Sequence, residues 1–356
     1  ARALRLLESR EDVRERWGTR CAHLLVDEAQ DLDRSQLRIA LLLAAPANRI
    51  FLVGDDDQSI YGWRLADVRR LLGLAETSLP GLRRVDLVTN YRCPEPVIDR
   101  AVRLVEHNRE RFAKTIVARE RASGSLLLAP SNADDVDRIE SVMRAWPPAS
   151  DGSTRAVLAR TNAELLPAAI AAVRLGLPFA APELVLPVES PFVDALIEQA
   201  RRSPPRQLLV RLVLAATAIG QDAGQVVGDI LAWAAAFPDV ETLSRAIDGT
   251  REAIARLRRD DAPLTLATAH GTKGLEFDHV AVIGLEAGRF PSARSVSEAV
   301  EPERALEEER RLAYVAWTRA RRTLTLLYDP GAPSEFLLEA FDADELGLPP
   351  VVASPH

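Results

Sequence analysis

The chain of 356 residues is long enough for two domains of ordinary size, and its 47% hydrophobic and 27% charged residues are typical of a globular protein. Its net charge of −7 argues against a surface coated by nucleic acid, although one basic groove can lie within an acidic protein. Two cysteines, Cys21 and Cys93, exclude a disulfide framework, and the closest candidate for a membrane span, residues 208–219, is interrupted by Arg211. We therefore expect an intracellular, reduced, cytoplasmic protein without a membrane partner. Because the chain starts at Ala1 without methionine, we also expect it to be part of a longer one.

Short apolar runs with polar ends alternate with a helical segment in the first part of the chain. The sequence predicts strands at residues 23–26, 49–53 and 84–88 and a helix at residues 35–45. The first two strands are followed by acidic residues. This arrangement is typical of a parallel sheet with crossover helices, in which ligands bind at the carboxyl ends of the strands.

The rest of the chain repeats this alternation around a block that contains only helices. The predicted strands are residues 125–129, 156–159, 264–269, 280–283 and 323–328, with helices at residues 134–146 and 163–175. Helices at residues 192–201, 207–219, 225–236 and 240–259 follow one another without a strand. An all-helical block inside an α/β domain indicates an insertion, here residues 187–262.

Two adjacent acids, Asp27 and Glu28, come directly after the first predicted strand. ATP hydrolysis requires one carboxylate to hold Mg²⁺, usually through water, and a second to orient and deprotonate the attacking water. The alternative is an acidic helix N-terminus, where carboxylates interact favourably with the helix dipole.

The segment at residues 54–64 combines acids, an amide and aromatic rings. Three aspartates and Gln58 precede Tyr61, Trp63 and Arg64. A strand end of this composition fits phosphate sensing beside an aromatic platform, on which unpaired bases stack without sequence preference. The alternative is an acidic turn followed by two aromatic core residues.

Two later segments also suit a nucleotide. Arg92 follows Tyr91, and an arginine held beside a tyrosine can reach a γ-phosphate while the ring stacks on a purine. In residues 270–277, two glycines allow close approach of a ligand, Lys273 offers a positive charge and Glu276 an acceptor for a ribose hydroxyl. The second segment also has an alternative interpretation as a glycine-rich surface turn.

Residues 307–320 are predicted to form one helix with an apolar face from which arginines emerge. Arg319 could neutralise charge on a phosphoryl group during transfer. Glu307 and Arg311 form an i,i+4 pair, so part of this pattern is ordinary helix stabilisation.

The order of these segments resembles the UvrD/PcrA/Rep family of superfamily 1A helicases. Residues 27–31 resemble motif II, residues 54–64 motif III, residues 87–92 motif IV, residues 270–277 motif V and residues 307–320 motif VI. The resemblance extends over the chain except for residues 187–262.

The resemblance implies a role for each matching residue. Asp27 would hold Mg²⁺, Glu28 would act as general base, Gln58 would sense the γ-phosphate, and Arg92 and Arg319 would contact it. Tyr91 would stack on adenine, Lys273 would approach the γ-phosphate, and Glu276 would bind the ribose. Tyr61, Trp63 and Arg64 would line a channel for single-stranded DNA, with His270 nearby.

The fold that the resemblance implies is α/β, with two RecA-like parallel-sheet domains of the P-loop NTPase type. Residues 1–88 would be a truncated domain 1A, and residues 89–186 with 263–340 domain 2A. Residues 187–262 would be a reduced helical 2B insertion, and residues 341–356 a C-terminal tail. The implied function is ATP-dependent, 3′-to-5′ movement on single-stranded DNA and at duplex junctions, with ATP and Mg²⁺, in the nucleoid.

Departures from the family limit this interpretation. No GxxxxGK[ST] loop occurs in the 356 residues, so the β- and γ-phosphates lack their main cradle. We therefore expect these residues alone to hydrolyse almost no ATP and to require the N-terminal Walker A and 1B segment of the same protein. Leu65 also replaces the glycine usual after Trp-Arg.

Two alternative functions remain. A degenerate, non-catalytic DNA-binding or regulatory protein would have no use for a general base such as Glu28. The motor part of a RecB or AdnA-type helicase–nuclease would require a nuclease domain after motif VI, and only about 36 residues follow Ala320.

Overall fold

A computed structural model of the chain describes residues 2–45, 47–147, 152–204, 206–219, 230–231, 234–235 and 237–348. The chain divides into two compact units, the first comprising Ala1–Asn132 with Ala269–His356 and the second Ala133–Thr268. Among the described residues, no helix has both the length and the apolar character needed to cross a bilayer. The domain boundaries drawn from the sequence stay a prediction.

Helices and strands alternate in both units. The described helices are α1 Arg2–Ser9, α2 Glu11–Gly18, α3 Arg34–Ala44, α4 Val68–Leu72, α5 Leu74–Thr77, α6 Glu95–Val105, α7 Asp135–Ala145, α8 Leu166–Arg174, α9 Pro191–Arg202, α10 Leu208–Ile219, α11 Val240–Leu257, α12 Ala293–Ser297, α13 Pro302–Trp317 and α14 Glu335–Ala340. The described strands are β1 Leu24–Val26, β2 Ile50–Leu52, β3 Thr89–Asn90, β4 Val117–Ala118, β5 Ser125–Pro130, β6 Arg155–Ala159, β7 Phe179–Ala180, β8 Leu264–Thr268, β9 Phe277–Val282 and β10 Ala320–Tyr328.

The strand pairs within each unit are parallel. In the first unit β1 pairs with β2, β3 pairs with β4, and β10 lies between β5 and β9. In the second unit β8 lies between β6 and β7. Parallel strands need crossover connections, and the intervening helices provide them. The predicted α/β class with parallel sheets is confirmed.

The core of the first unit lies around β9, β10 and α13. Every residue of β9 is buried, and so are the last five residues of β10. Trp317 at the end of α13 and Tyr328 at the end of β10 are fully buried. A strand that is covered on both faces has a nearly continuous run of apolar residues, and β9 and β10 were recognisable in the sequence for this reason.

Most predicted elements agree with the structure to within two or three residues. The predicted helix at residues 35–45 is α3, and its start is fixed by a capping box. Asp33 accepts hydrogen bonds from the backbone N–H groups of Ser35 and Gln36, and the side chain of Gln36 accepts one from the backbone of Asp33.

The strand predicted at residues 84–88 is wrong, because these residues have no regular secondary structure. Val85 and Leu87 are 70% and 88% exposed, so the apolar alternation there does not face a core. The strand begins instead at Thr89 and contains two residues that pair with β4.

The helix predicted at residues 307–320 has different ends in the structure. α13 begins at Pro302, which suits the first turn of a helix, and it ends at Trp317. Thr318 follows as the C-terminal cap, and Ala320 already belongs to β10. Arg319 therefore lies in the turn between helix and strand and not on the helix.

The predicted insertion contains three described helices, α9, α10 and α11, which lie in the second unit. The helix predicted at residues 225–236 falls mostly outside the described residues.

Candidate active site

The acids after β1 lie at an exposed strand end. Asp27 and Glu28 are both exposed, and the backbone of Glu28 is left-handed, with φ 50° and ψ 44°. A non-glycine residue in this region is uncommon and often marks a functional site. The Oε2 atom of Glu28 accepts a hydrogen bond from Nε2 of Gln30 at 2.5 Å, so the carboxylate is held in place.

Gln30 also connects this strand end to that of β2. Its Oε1 atom accepts the backbone N–H of Asp55 at 3.1 Å. A Cβ atom at Gly54 would lie 2.7 Å from the same Oε1 and 3.3 Å from the backbone nitrogens of Ala29 and Gln30. A side chain at residue 54 would therefore displace the Gln30 amide and press on the backbone after β1, so the absence of one lets the two loops approach closely.

Gln58 lies at the end of a 3-10 turn, Asp56–Gln58, that follows β2. Its Nε2 atom donates to Oδ2 of Asp55 at 2.7 Å, and its Oε1 atom accepts from Nη2 of Arg319 at 3.4 Å. Gln58 therefore connects the acids after β2 to the arginine that follows α13.

A lysine that sequence reasoning did not assign to the site, Lys114, neutralises the three aspartates. Its Nζ atom lies 2.6 Å from Asp55, 2.5 Å from Asp56 and 3.0 Å from Asp57. Arg111 adds a bidentate contact to Asp57, at 3.0 and 2.8 Å. Lys114 and Lys273 are the only two lysines in the chain, and this rarity was the signal available in the sequence.

The charges in this cluster change each other's pKa values. Burial raises the pKa of Asp55, but attraction to Lys114 and hydrogen bonds from Lys114 and Gln58 outweigh it, so the pKa of Asp55 is lowered. Burial and the neighbouring charge of Asp57 raise the pKa of Asp56. Burial acts to lower the pKa of Lys114, but attraction to the three aspartates raises it.

Lys273 lies between the acids after β1 and the turn of Gln58. Its side chain is 7% exposed, and its Nζ atom donates to Oδ2 of Asp31 at 2.6 Å and to the backbone oxygen of Gln58 at 2.8 Å. The same atom lies 3.7 Å from Oε2 of Glu28 and 5.1 Å from the ring centroid of Tyr61. Asp31 is a further site residue that sequence reasoning did not single out, although it belongs to the segment resembling motif II.

Arg319 is 1% exposed and is surrounded mainly by neutral acceptors. It donates to the backbone oxygens of Val315 at 2.9 Å and Leu275 at 3.1 Å, in addition to Gln58. Burial, together with repulsion by Arg92, lowers the pKa of Arg319 to about 10. Arg319 therefore remains protonated at neutral pH.

Arg92 lies beside the same turn. Its Nε atom donates to Oε2 of Glu276 at 2.8 Å, and its Nη1 atom donates to the backbone oxygen of Thr318 at 3.4 Å. The hydrogen bond from Arg92 lowers the pKa of Glu276. Tyr91, the residue before Arg92, is 74% exposed.

The three residues that the sequence predicts as an aromatic platform, Tyr61, Trp63 and Arg64, lie in one compact turn. The rings of Tyr61 and Trp63 meet edge to face at 6.2 Å, and the guanidinium group of Arg64 lies 4.4 Å from the ring of Trp63. Trp63 is 65% exposed. Leu65 ends the turn in a left-handed conformation, with φ 67°, the conformation that a glycine adopts without strain. His270 is half-buried in the 3-10 turn that precedes Lys273.

All the site residues named from the sequence belong to the first unit, and two oppositely charged pairs among them are in contact, Glu28 with Lys273 at 3.7 Å and Arg92 with Glu276 at 2.8 Å. Asp27 and Glu28 offer hard carboxylate oxygens at an exposed strand end. This fits Mg²⁺, which is usually held by one or two carboxylates together with water and phosphate oxygens. Asp55, Asp56 and Asp57 also lie close enough to share an ion, but Lys114 contacts all three.

Comparison with known proteins gives consistent matches. The UvrD/REP helicase N-terminal domain matches residues 1–78, and the UvrD-like helicase C-terminal domain matches residues 250–330. The chain is 26% identical to DNA helicase II of Escherichia coli over 92% of its own length and 58% of that protein. It is 26% identical to the ATP-dependent DNA helicase PcrA of Leuconostoc citreum over 94% of its own length and 59% of that protein.

A solved structure, the C-terminal domain of a possible DNA helicase from Lactobacillus plantarum, matches 71% of the chain and 96% of that domain, at 15% identity and a TM-score of 0.29. The chain spans 58% and 59% of the length of the two curated relatives described above.

Proposed function

We infer that the chain is the ATP- and DNA-responsive portion of a DNA helicase. This inference is supported by the matches to UvrD-like N-terminal and C-terminal helicase domains, and by the similarity to UvrD, PcrA and Rep helicases. The intact protein would hydrolyse ATP with Mg²⁺ and move 3′-to-5′ on single-stranded DNA toward duplex junctions. Its main cradle for the β- and γ-phosphates would be a Walker A loop outside these 356 residues.

One observation carries this function. Lys273 contacts Asp31 and the backbone of Gln58, and Arg319 contacts the side chain of the same glutamine. A phosphate group that enters between them would replace neutral or carboxylate partners of both cations. A change in the contacts of Gln58 would then be transmitted along the chain to the aromatic turn Gly62–Arg64 that follows it.

The remaining groups would complete ATP binding and hydrolysis. Asp27 would hold Mg²⁺ through water, and Glu28 would orient and deprotonate the attacking water. Arg92 would exchange Glu276 for a phosphate oxygen, which would free Oε2 of Glu276 to accept from a ribose hydroxyl, while Oε1 keeps its contact with Arg321 at 3.2 Å. Tyr91 is exposed beside Arg92 and offers a ring on which adenine would stack.

Single-stranded DNA would bind at the turn of Tyr61, Trp63 and Arg64, with His270 nearby. Trp63 presents an exposed ring on which a base would stack, and Arg64 supplies a positive charge for the phosphates of the DNA backbone. Arg64 stacks on the ring of Trp63, so a base would share or displace that contact.

Substitution of Trp63 by alanine is expected to weaken binding of single-stranded DNA by the 356-residue chain. Loss of one base–aromatic stack is worth about 1–3 kcal/mol, which corresponds to roughly 5- to 150-fold in affinity. Fluorescence anisotropy with a labelled oligo-dT strand measures the change. Trp17→Ala is a matched control, because Trp17 is also exposed and also carries a stacked arginine, Arg20 at 5.3 Å. Equal losses for the two variants would contradict the assignment of the DNA site.

The 356-residue chain is expected to hydrolyse ATP no faster than background, with or without single-stranded DNA, because no GxxxxGK[ST] loop is present to hold the phosphates. A coupled assay for ADP release measures this directly. DNA-stimulated hydrolysis that disappears in Glu28→Gln would overturn the expectation, because such activity could not come from a contaminating enzyme.

A further inference from the structure

A carboxylate on α13 caps the aromatic turn. The backbone N–H of Gly62 donates to Oε1 of Glu308 at 2.8 Å, although the two residues are 246 positions apart. Gly62 is the first residue of the 3-10 turn Gly62–Arg64, and Tyr61, the residue before it, supplies no side-chain cap. The first N–H groups of a helical turn have no internal partner, and a carboxylate is a strong acceptor for them. Glu308 therefore provides from another element the cap that the turn lacks locally.

The fit between Gly62 and Glu308 is close. A Cβ atom at residue 62 would lie 2.9 Å from both Cδ and Oε1 of Glu308, closer than a side-chain carbon can approach. The backbone of Gly62 is not left-handed, so its conformation alone does not require glycine. A side chain at this position would have to displace the carboxylate of Glu308, which occupies the space where that side chain would begin.

The position of Glu308 along α13 gives this contact a second consequence. α13 ends at Trp317, two residues before Arg319, whose guanidinium group contacts Gln58. The capped turn carries Trp63, the exposed ring of the platform. Glu308 thus connects two elements directly. One is α13, which leads to Arg319 at the proposed phosphate site, and the other is the turn Gly62–Arg64 at the proposed nucleic-acid site.

We propose that Glu308 is a positioning residue, which holds the turn of Tyr61, Trp63 and Arg64 in the geometry that receives a nucleic-acid base and joins that turn to α13. This inference rests on the proposed DNA-binding function. The carboxylate of Glu308 accepts from the backbone of Gly62, so its proposed role is to hold the turn and not to bind DNA itself.

Four variants of the 356-residue chain test the contact through its affinity for labelled oligo-dT. Glu308→Gln keeps an acceptor oxygen and is expected to bind within about twofold of the wild type. Glu308→Ala removes the cap and is expected to bind about tenfold more weakly, equivalent to about 1.4 kcal/mol. Gly62→Ala displaces the carboxylate and is expected to show a similar loss. The double variant is expected to be no weaker than either single one, because both changes break the same contact.

Glu303→Ala is the matched control on the same helix. Glu303 is 89% exposed in its side chain and pairs with Arg109 at 3.5 Å, so its removal is expected to leave the affinity unchanged. Thermal unfolding of each variant shows whether the fold is kept. Hydrogen exchange of the Gly62 amide, followed by NMR, reports the cap without any nucleic acid, and we expect faster exchange in Glu308→Ala than in Glu308→Gln.

The outcomes separate the two proposals. A wild-type chain that does not bind oligo-dT would refute the proposed function, while the exchange of the Gly62 amide would still report the cap. If the wild type binds and Glu308→Ala binds equally well, the positioning role is refuted, whatever the exchange rate. Additive losses in the double variant would also refute it, since they would mean that the two residues act separately.

Discussion

Substitution of Lys114 by methionine is expected to lower the free energy of unfolding by about 3–5 kcal/mol, the range found when one partner of a buried ion pair is removed. Lys114 contacts Asp55, Asp56 and Asp57 at 3.0 Å or less, and the side chains of Asp56 and Asp57 are 3% and 0% exposed. After the substitution, Arg111 still neutralises the charge of Asp57, but Asp55 and Asp56 lose their contact with Lys114. Chemical denaturation followed by circular dichroism measures the loss.

Arg103→Met is the matched control for this substitution. Arg103 also pairs with a carboxylate at short range, Asp342 at 2.6 Å, but the two side chains are 42% and 64% exposed. Pairs of this kind contribute about 0–1 kcal/mol, so the control is expected to change stability little. Equal losses in the two variants would mean that the acid cluster does not depend on Lys114.

The loss in Lys114→Met is also expected to shrink as the pH falls from neutral to about 5. Burial and the charge of Asp57 already raise the pKa of Asp56, and attraction to Lys114 acts against them, so loss of the lysine is expected to raise the pKa of Asp56 further. Asp56 then binds a proton more tightly in the folded variant than in the unfolded chain, so the stability of the variant rises as the pH falls through that pKa. A deficit that stays constant over this range would show that the aspartates keep their counter-charge from elsewhere.

The acid cluster also shows how far the site could be predicted from the sequence. The acids after β1 and β2 were found because they follow short apolar runs, and such strand ends form a site in a parallel sheet. Their partners could not be found in that way. Arg111 and Asp57 are 54 positions apart, and a pairing of opposite charges over that distance leaves no periodic pattern. Glu308, the cap of Gly62, was missed for the same reason.

The fold was predictable where burial produces a period in the sequence. The helix predicted at residues 134–146 is α7, Asp135–Ala145, with Ile139 and Met143 buried on one face. The strand predicted at residues 84–88 failed because its apolar side chains are exposed, and a short alternating run does not reveal whether a partner strand exists. The end of α13 was misplaced because the apolar pattern continues from the helix into β10, so the turn that carries Arg319 left no break in it.

Substitution of Arg319 by glutamine is expected to abolish phosphate binding without lowering the stability of the chain. In the wild type the acceptors of its guanidinium group include the backbone oxygens of Val315 and Leu275 and the side-chain oxygen of Gln58, all neutral. Burial, together with repulsion by Arg92, lowers the pKa of Arg319 from 12.5 to about 10, so keeping this cation in the folded chain costs on the order of 3 kcal/mol, which offsets the gain from its hydrogen bonds. We therefore expect the variant to be as stable as the wild type to within about 1 kcal/mol, or more stable.

The pH dependence of this cost has a definite sign. Below about pH 10 the arginine is protonated in both the folded and the unfolded chain, so the cost is constant across the neutral range. Above that pH the folded chain releases the proton first, and the contribution of Arg319 to stability rises. Glutamine does not titrate, so the variant is expected to lack this rise.

Millimolar tripolyphosphate is expected to raise the melting temperature of the wild type and to leave that of Arg319→Gln unchanged. A ligand at ten times its dissociation constant stabilises by about 1.4 kcal/mol, which corresponds to a shift of about 2 °C for a chain of this size. At the proposed site, the anion would supply a negative charge beside the buried guanidinium group of Arg319. Differential scanning fluorimetry at constant ionic strength measures the shift.

Arg310→Gln is the control that shows whether the effects of Arg319→Gln are specific to Arg319 or follow from the loss of any buried arginine. Arg310 is 5% exposed and donates twice to Glu339, at 2.7 Å each. Its removal leaves Glu339 without its partner, so we expect a loss of about 3–5 kcal/mol, while the response to tripolyphosphate is kept. Arg319→Gln is expected to show the reverse pattern, because the acceptors of Arg319 in the folded chain include neutral oxygens and the proposed phosphate would supply its negative partner. If both variants lost stability equally and both still responded to tripolyphosphate, Arg319 would be an ordinary structural arginine, and the phosphate site would have to lie elsewhere.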